Sequence, residues 1–146
     1  MRIVVQGGVF NDDEAREVHS LLEYYLEDTG QDEYLFLTAT AEARVVGFAC
    51  YGRIALTKYN YELSWIATAK EALRGGVGSA LLQAVETCAR EKGGRYLLLE
   101  TSLSPLYAPA RAFYERHGYH AVAHIPDYYD DGDAMVIYRK SLVARY

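Results

Sequence analysis

Gly75, Gly76 and Gly78 stand just before the run Ser79-Ala80-Leu81-Leu82, which begins a helical apolar pattern, and a glycine turn in that position can hold a phosphate. Glycine lets the backbone approach a ligand and take positive φ, and the first helical turn offers unpaired N–H groups at the positive end of the dipole. Arg74, Gly75, Gly76, Val77, Gly78 and Ser79 are therefore candidate ligands for an anionic cofactor, with Lys70 as a further nearby cation. The same glycines also suit a plain structural turn. A second concentration of chemistry is Asp127-Tyr128-Tyr129-Asp130-Asp131-Gly132-Asp133, which sets four carboxylates beside two aromatic rings. Carboxylates and ring faces together attract a cationic amine, so Asp127, Tyr128, Tyr129 and Asp130 are candidate substrate-binding residues, and a solvated Asp-Gly turn is the alternative. His117, His120 and His124 lie close in sequence but lack ligand spacing on one element, so surface or capping roles are expected and no metal site.

The elements that must position these residues can be read from periodicity. Val77, Leu81, Ala84, Val85 and Cys88 share one face of a helix, with Gln83, Glu86, Arg90 and Glu91 elsewhere, and Lys92-Gly93-Gly94 closes it. A strand, Tyr61 to Thr68, precedes the glycine turn, and strands at about 33–40 and 44–52 before it suggest a meander. After a possible first strand, Asn11-Asp12-Asp13-Glu14 opens a first helix whose stripe is Val18, Leu21, Leu22, Tyr25 and Leu26. Tyr96-Leu97-Leu98-Leu99-Glu100 lacks alternation and reads as a strand covered on both faces. A helix follows over roughly 108–117, with Pro109 in its first turn and Gly118 past its end, and strands near 119–125 and 134–140 finish the chain.

Length and charge narrow the function. A chain of 146 residues, half of them hydrophobic, suits one domain over 1–146 with a real core. Fifteen basic residues dispersed among twenty acidic ones, net charge -5, disfavour nucleic acid as a partner. Cys50 and Cys88 read as reduced core thiols. The start is too short for a signal peptide and no apolar run would span a membrane, so a soluble, cytoplasmic protein is expected. Its fourteen tyrosines could support a homodimer.

Strand, glycine turn, helix, strand and then Phe113-Tyr114-Glu115-Arg116-His117-Gly118-Tyr119 together resemble the GNAT superfamily of acyl-CoA-dependent N-acyltransferases. The resemblance covers most of the chain and is strongest over roughly 61–120. The family pattern of Gln or Arg, two residues, Gly, any residue, Gly or Ala falls on Leu73 through Gly78. Leu73 stands where the family usually has Arg or Gln, and Tyr107 where it often has Asn. The resemblance implies an α+β, single-domain GNAT-like fold: a mixed, mostly antiparallel sheet flanked by helices, with the acyl-CoA site at the strand, glycine loop and helix. It also implies acetyl-CoA as co-substrate and transfer of the acetyl group to a primary amine of a small molecule or protein. Leu73 to Ser79 and Tyr107 would then meet the cofactor, and Ile66, Ala67 and Thr68 would offer backbone groups to its pantetheine arm. Tyr114 matches the family's usual general acid. Glu62 lies eleven residues before Leu73, where several relatives carry a general base, and Glu100 is a second candidate for that role. A non-catalytic acyl-CoA-binding or interaction module is the alternative that the two departures leave open.

Overall fold

β-Branched and aromatic residues recur through 35–69, and the segment forms three antiparallel strands: β3 (Leu35–Ala41), β4 (Arg44–Arg53) and β5 (Asn60–Ala69). The computed structural model describes residues 3–5, 8–9, 27, 31–69 and 76–143. Apart from Glu27, the first helix expected over roughly 11–30, and Lys70, Leu73, Arg74 and Gly75, lie outside the described residues. Two short strands, β1 (Ile3–Val5) and β2 (Gly8–Val9), pair with each other. Helix α1 (Val77–Glu91), β6 (Tyr96–Ser102), a single 3₁₀ turn (Pro105–Tyr107), helix α2 (Ala108–Arg116), β7 (His120–Asp130) and β8 (Asp133–Ser141) complete the order. All eight strands join one sheet, six of them long, and pairing is antiparallel except between β5 and β6. The fold is thus α+β with a mixed, mostly antiparallel sheet, as expected. Among the described residues no helix is long and apolar enough to cross a membrane.

One face of the sheet presents Tyr61, Leu63, Leu97, Leu99, Val136 and Tyr138, and α1 covers it with Leu81, Leu82, Val85 and Ala89. Helix α2 adds Ala110, Phe113 and Tyr114 to the same core. Two expectations are corrected here. β6 is not covered on both faces: Leu97 and Leu99 are buried, Tyr96 and Leu98 only partly, and Glu100 is exposed. On α1, Ala84 is exposed and Cys88 half-buried, whereas Glu86 is buried. The reason is distant in sequence. Tyr119 donates its hydroxyl to Glu86 Oε2 at 2.7 Å, and Lys140 Nζ lies 3.0 and 3.1 Å from the two carboxylate oxygens. A carboxylate so paired can be buried on an otherwise apolar helix face. Lys140→Ala is expected to strand that charge, and breaking a buried pair typically costs about 3–5 kcal/mol, with the lower end fitting the partly exposed lysine. Urea unfolding checks it through a lowered midpoint at unchanged m-value.

Candidate functional site

The edge of β5 opposite β4 is shared by two strands. β6 pairs with Asn60, Tyr61 and Glu62 and then parts from it, while β1 pairs with Ala67, Thr68 and Ala69. Leu63 to Ile66 therefore face an opening with no strand partner on that edge among the described residues. A bulge falls inside this window, because Cys50 pairs with Trp65 but Tyr51 pairs with Leu63, leaving Ser64 extra. Bulges of this kind re-aim groups beside sites. Ser64 Oγ is buried there with no hydrogen-bond partner among the described residues, so the window contains an unmet polar atom. Of the three strand residues expected to face a cofactor arm, Ala67 and Thr68 are paired on both edges and Ile66 keeps one edge open.

Helix α1 starts next to this edge. Gly76 has φ 75° and ψ 10°, a left-handed conformation that strains any residue with a Cβ, although the space around it is open. Among the described residues no side chain caps the helix and its first turn carries no acidic residue, so its leading N–H groups are suited to an anion. Gly47 on β4 seats the helix start: a Cβ there would lie 2.9 Å from the Ala67 carbonyl oxygen, 3.0 Å from Val77 Cγ1 and 3.1 Å from Leu81 Cδ1. Ser79 is engaged sideways, its Oγ 3.0 Å from His117 Nε2, while His117 Nδ1 lies 2.8 Å from the Phe113 carbonyl oxygen. His117 is the C-cap residue of α2, a capping role as expected, and its other ring nitrogen also ties that helix end to the first turn of α1.

Two carboxylates sit where β5 and β6 part. Glu62 is paired with Leu98 and Glu100 is two residues further along β6, so both project from the same face of the sheet. Cys50 shares that face, since Gly52 pairs with Glu62. The carboxyl of Glu62, though its residue is open to solvent, is raised above its ordinary range by partial desolvation first and the charge of Glu100 second. Burial, then Glu62's charge, push the Cys50 thiol up to about 12. Tyr129 reaches Glu100 from β7: its hydroxyl donates to Oε2 at 2.8 Å. The β7 register is irregular between Ile125 and Asp130, which takes Tyr129 out of the ladder and over the neighbouring strands.

Tyr114 occupies the opposite face. Its ring lies 6.0 Å from Tyr119 and 6.4 Å from Tyr138, and Tyr138 pairs with Leu99, which alternates with Glu100. Burial pushes its phenol up, and its hydroxyl makes no hydrogen bond to a described residue. Base and acid candidates are thus on two faces of one sheet, and the parting of β5 from β6 is where a single molecule would reach both. Tyr107, in the 3₁₀ turn, is half-buried.

The acidic segment is more ordered than its composition suggests. Asp127 has φ 53° and accepts the Gly132 N–H at 2.7 Å, Asp130 accepts the Asp131 N–H at 2.7 Å, and Asp133 accepts from Ser102 Oγ. These carboxylates shape the β7–β8 turn as well as charging its surface. Tyr128 and Tyr129, at 5.0 Å and 88°, form an edge-to-face pair, both exposed. Arg111, which the motif reading passed over, donates from Nη1 to the Ser102 and Ser104 carbonyls at 2.7 and 2.9 Å and ties α2 to the end of β6. A shallow depression lined by Tyr96, His120, Val122 and Arg139 lies at the closed end of the β5–β6 pairing and holds none of these groups.

A left-handed glycine at an uncapped helix start, beside two parallel strands that part after three pairs, is an arrangement shared with known proteins. The family model described as "Acetyltransferase (GNAT) family" matches residues 8–119. The chain belongs to the GNAT family. A GNAT-family protein of known structure from Desulfovibrio desulfuricans is 39% identical, with a TM-score of 0.87 over 92% of this chain and 84% of that one. An uncharacterized N-acetyltransferase from Methanocaldococcus jannaschii is 33% identical over 107 residues, 72% of this chain and 65% of that protein, just under two-thirds of its length. An aminoglycoside 6′-N-acetyltransferase complexed with coenzyme A shares the GNAT fold at 19% identity, with a TM-score of 0.75 over 94% of this chain and 84% of that one.

Proposed function

We propose that this protein is an N-acetyltransferase that moves an acetyl group from acetyl-CoA to a primary amine of a small molecule or a protein. The observation that carries the reading is the window on β5, closed by β6 at one end and opening beside the uncapped start of α1. A long, thin substrate ending in phosphates fits such a site. Its anionic part would meet the N–H groups of Gly76 to Ser79, and its arm would run along Leu63 to Ile66, where Ser64 Oγ lacks a partner. Family membership and the coenzyme A bound to a protein of the same fold add to this.

From the bound ammonium the reaction takes one proton off nitrogen, joins that nitrogen to the thioester carbonyl carbon, sheds the proton this leaves in excess to solvent, breaks the C–S bond and delivers one proton to the leaving sulfur. Glu62 or Glu100 takes the first proton, directly or through a water, and Tyr114 supplies the one that the sulfur receives. An N–H of the Leu63–Ile66 edge, such as that of Ile66, would polarise the carbonyl oxygen. The rim of Asp127, Tyr128, Tyr129 and Asp130 would draw in the acceptor as a cation before it loses its proton.

Gly78 is buried in the first turn of α1, and Gly78→Asp puts bulk and negative charge where the pyrophosphate would lie. Acetyl-CoA affinity, measured by calorimetry, is expected to collapse while circular dichroism stays native. Unchanged affinity removes the phosphate-loop assignment. Free-thiol release from acetyl-CoA with a panel of amines tests turnover, and binding with no release above background would leave a non-catalytic acyl-CoA-binding module.

A further inference from the structure

The two helices that would serve opposite ends of the cofactor are tied by one side-chain pair. Ser79, in the first turn of α1, and His117, the C-cap of α2, are both half-buried, and His117 Nε2 lies 3.0 Å from Ser79 Oγ. Among the described residues no other hydrogen bond joins α1 to α2. We propose, resting on the acetyltransferase reading, that Ser79 and His117 are positioning residues: their bond sets the distance between the phosphate site and Tyr114, and Ser79 meets the cofactor through its backbone N–H while its hydroxyl holds the strut.

The hydrogen-bond roles follow from the partners. The Phe113 carbonyl oxygen, 2.8 Å from His117 Nδ1, can only accept, so Nδ1 carries a hydrogen. In the neutral ring Nε2 is then an acceptor, and the Ser79 hydroxyl donates to it. In the imidazolium Ser79 accepts instead, and the pair stays joined. The intrahelical ladder of α1 begins with Ala80, whose N–H donates to the Gly76 carbonyl at 3.0 Å, so the Ser79 N–H precedes it and is left for an anion. On the other side, His117 is fastened to the turn that carries the candidate acid. Its backbone N–H donates to the Tyr114 carbonyl at 3.0 Å, and its ring packs on Phe113 at a centroid distance of 4.5 Å, with Phe113 5.4 Å from the Tyr114 ring. A flexible thioester held at its anionic end leaves its sulfur free to wander, and the spacing of the two helices decides where that sulfur falls against the Tyr114 hydroxyl. A misplacement of about 1 Å at the reacting atoms can cost about 10²-fold in rate.

Two substitutions separate the jobs of the two ring nitrogens. His117→Asn keeps an amide near the Nδ1 position for the Phe113 carbonyl and falls short of Ser79, whereas His117→Gln puts an amide oxygen near the Nε2 position, where it can accept from Ser79. In thiol release, kcat is expected to fall roughly 10–100-fold in His117→Asn and in Ser79→Ala, and to stay near the parent in His117→Gln and Ser79→Thr. The calorimetric Kd for coenzyme A should be unchanged in all of them, because the N–H groups of the first turn remain. Ser79→Ala combined with His117→Asn should be no slower than either alone. A readout free of turnover comes from ¹⁵N NMR of the histidine rings in ligand-free protein at mildly alkaline pH, with His117 identified by the signals lost in His117→Asn. It should show a protonated Nδ1 and an Nε2 shift that moves in Ser79→Ala. Weaker coenzyme A binding by Ser79→Ala at unchanged kcat would make the hydroxyl a phosphate ligand and overturn the proposal. So would a neutral ring protonated on Nε2, or equal losses in His117→Asn and His117→Gln, the mark of a plain cap. Thiol release by the parent with an unslowed Ser79→Ala sinks this proposal alone, and absence of release with every amine sinks the reading beneath it.

Discussion

Glu62→Gln is expected to lower kcat by roughly 10²–10⁴-fold at neutral pH, the usual contribution of a general base. The substitution is nearly isosteric and its side chain faces the open side of the sheet, so folding should be little affected. Affinity for acetyl-CoA should be unchanged by calorimetry, because nothing in the proposed phosphate site is touched. The pH dependence carries the diagnosis. A base must be ionised to act, and Glu62 is raised above the ordinary carboxylate range, so kcat/KM in the parent should climb with pH through that raised ionisation. In the variant this limb should vanish. Activity should recover in part at high pH, where more of the acceptor amine is already neutral. A loss equal at every pH, with weakened acetyl-CoA binding, would mean that Glu62 serves the structure of the β5 edge instead.

Much of this site was legible in the sequence because it rests on local rules. The glycine turn announced a left-handed residue before a helix, and Gly76 at φ 75° is that residue. Apolar spacing placed α1, and strand-like runs broken by polar turns placed β3, β4 and β5 to within a few residues. Glu62 was singled out by the family resemblance, eleven residues before Leu73, and Glu100 as the carboxylate that ends an apolar strand. What stayed hidden depends on partners far apart in the chain. The window on β5 exists because β6 pairs for three residues and stops, and register of that kind leaves no mark in either strand's own pattern. Polar character assigned Glu86 to solvent, and only Tyr119 and Lys140, 33 and 54 positions away, make its burial intelligible. The same holds for His117 and Ser79, 38 positions apart. Tyr129 was visible as an aromatic on an acidic rim, but its bond to Glu100 needs an irregular strand to carry it there. Gly47 gave no signal, because a glycine inside a strand declares close approach only once the approaching helix is known.

The placement of Tyr114 across the sheet from the carboxylates leads to the second large effect. Tyr114→Phe keeps the ring that packs on Phe113, Tyr119 and Tyr138, and removes a hydroxyl that no described residue holds. Little stability should be lost, so a change in rate reports chemistry. If the hydroxyl protonates the departing thiolate, kcat should fall by roughly 10²–10⁴-fold with acetyl-CoA binding intact. Unlike Glu62→Gln, this variant should gain nothing from raised pH. Burial pushes the phenol up, so it stays protonated across the working range, and its loss removes a proton donor that alkali cannot replace. The leaving group offers a sharper discriminant. A thioester of a more acidic thiol departs as a stable thiolate and needs no acid, so the penalty of Tyr114→Phe should shrink with such a donor and remain large with acetyl-CoA. Single-turnover rates separate this step from product release. Equal single-turnover rates for parent and variant would assign the thiolate's proton to solvent and leave Tyr114 as part of the aromatic packing between α2 and β8.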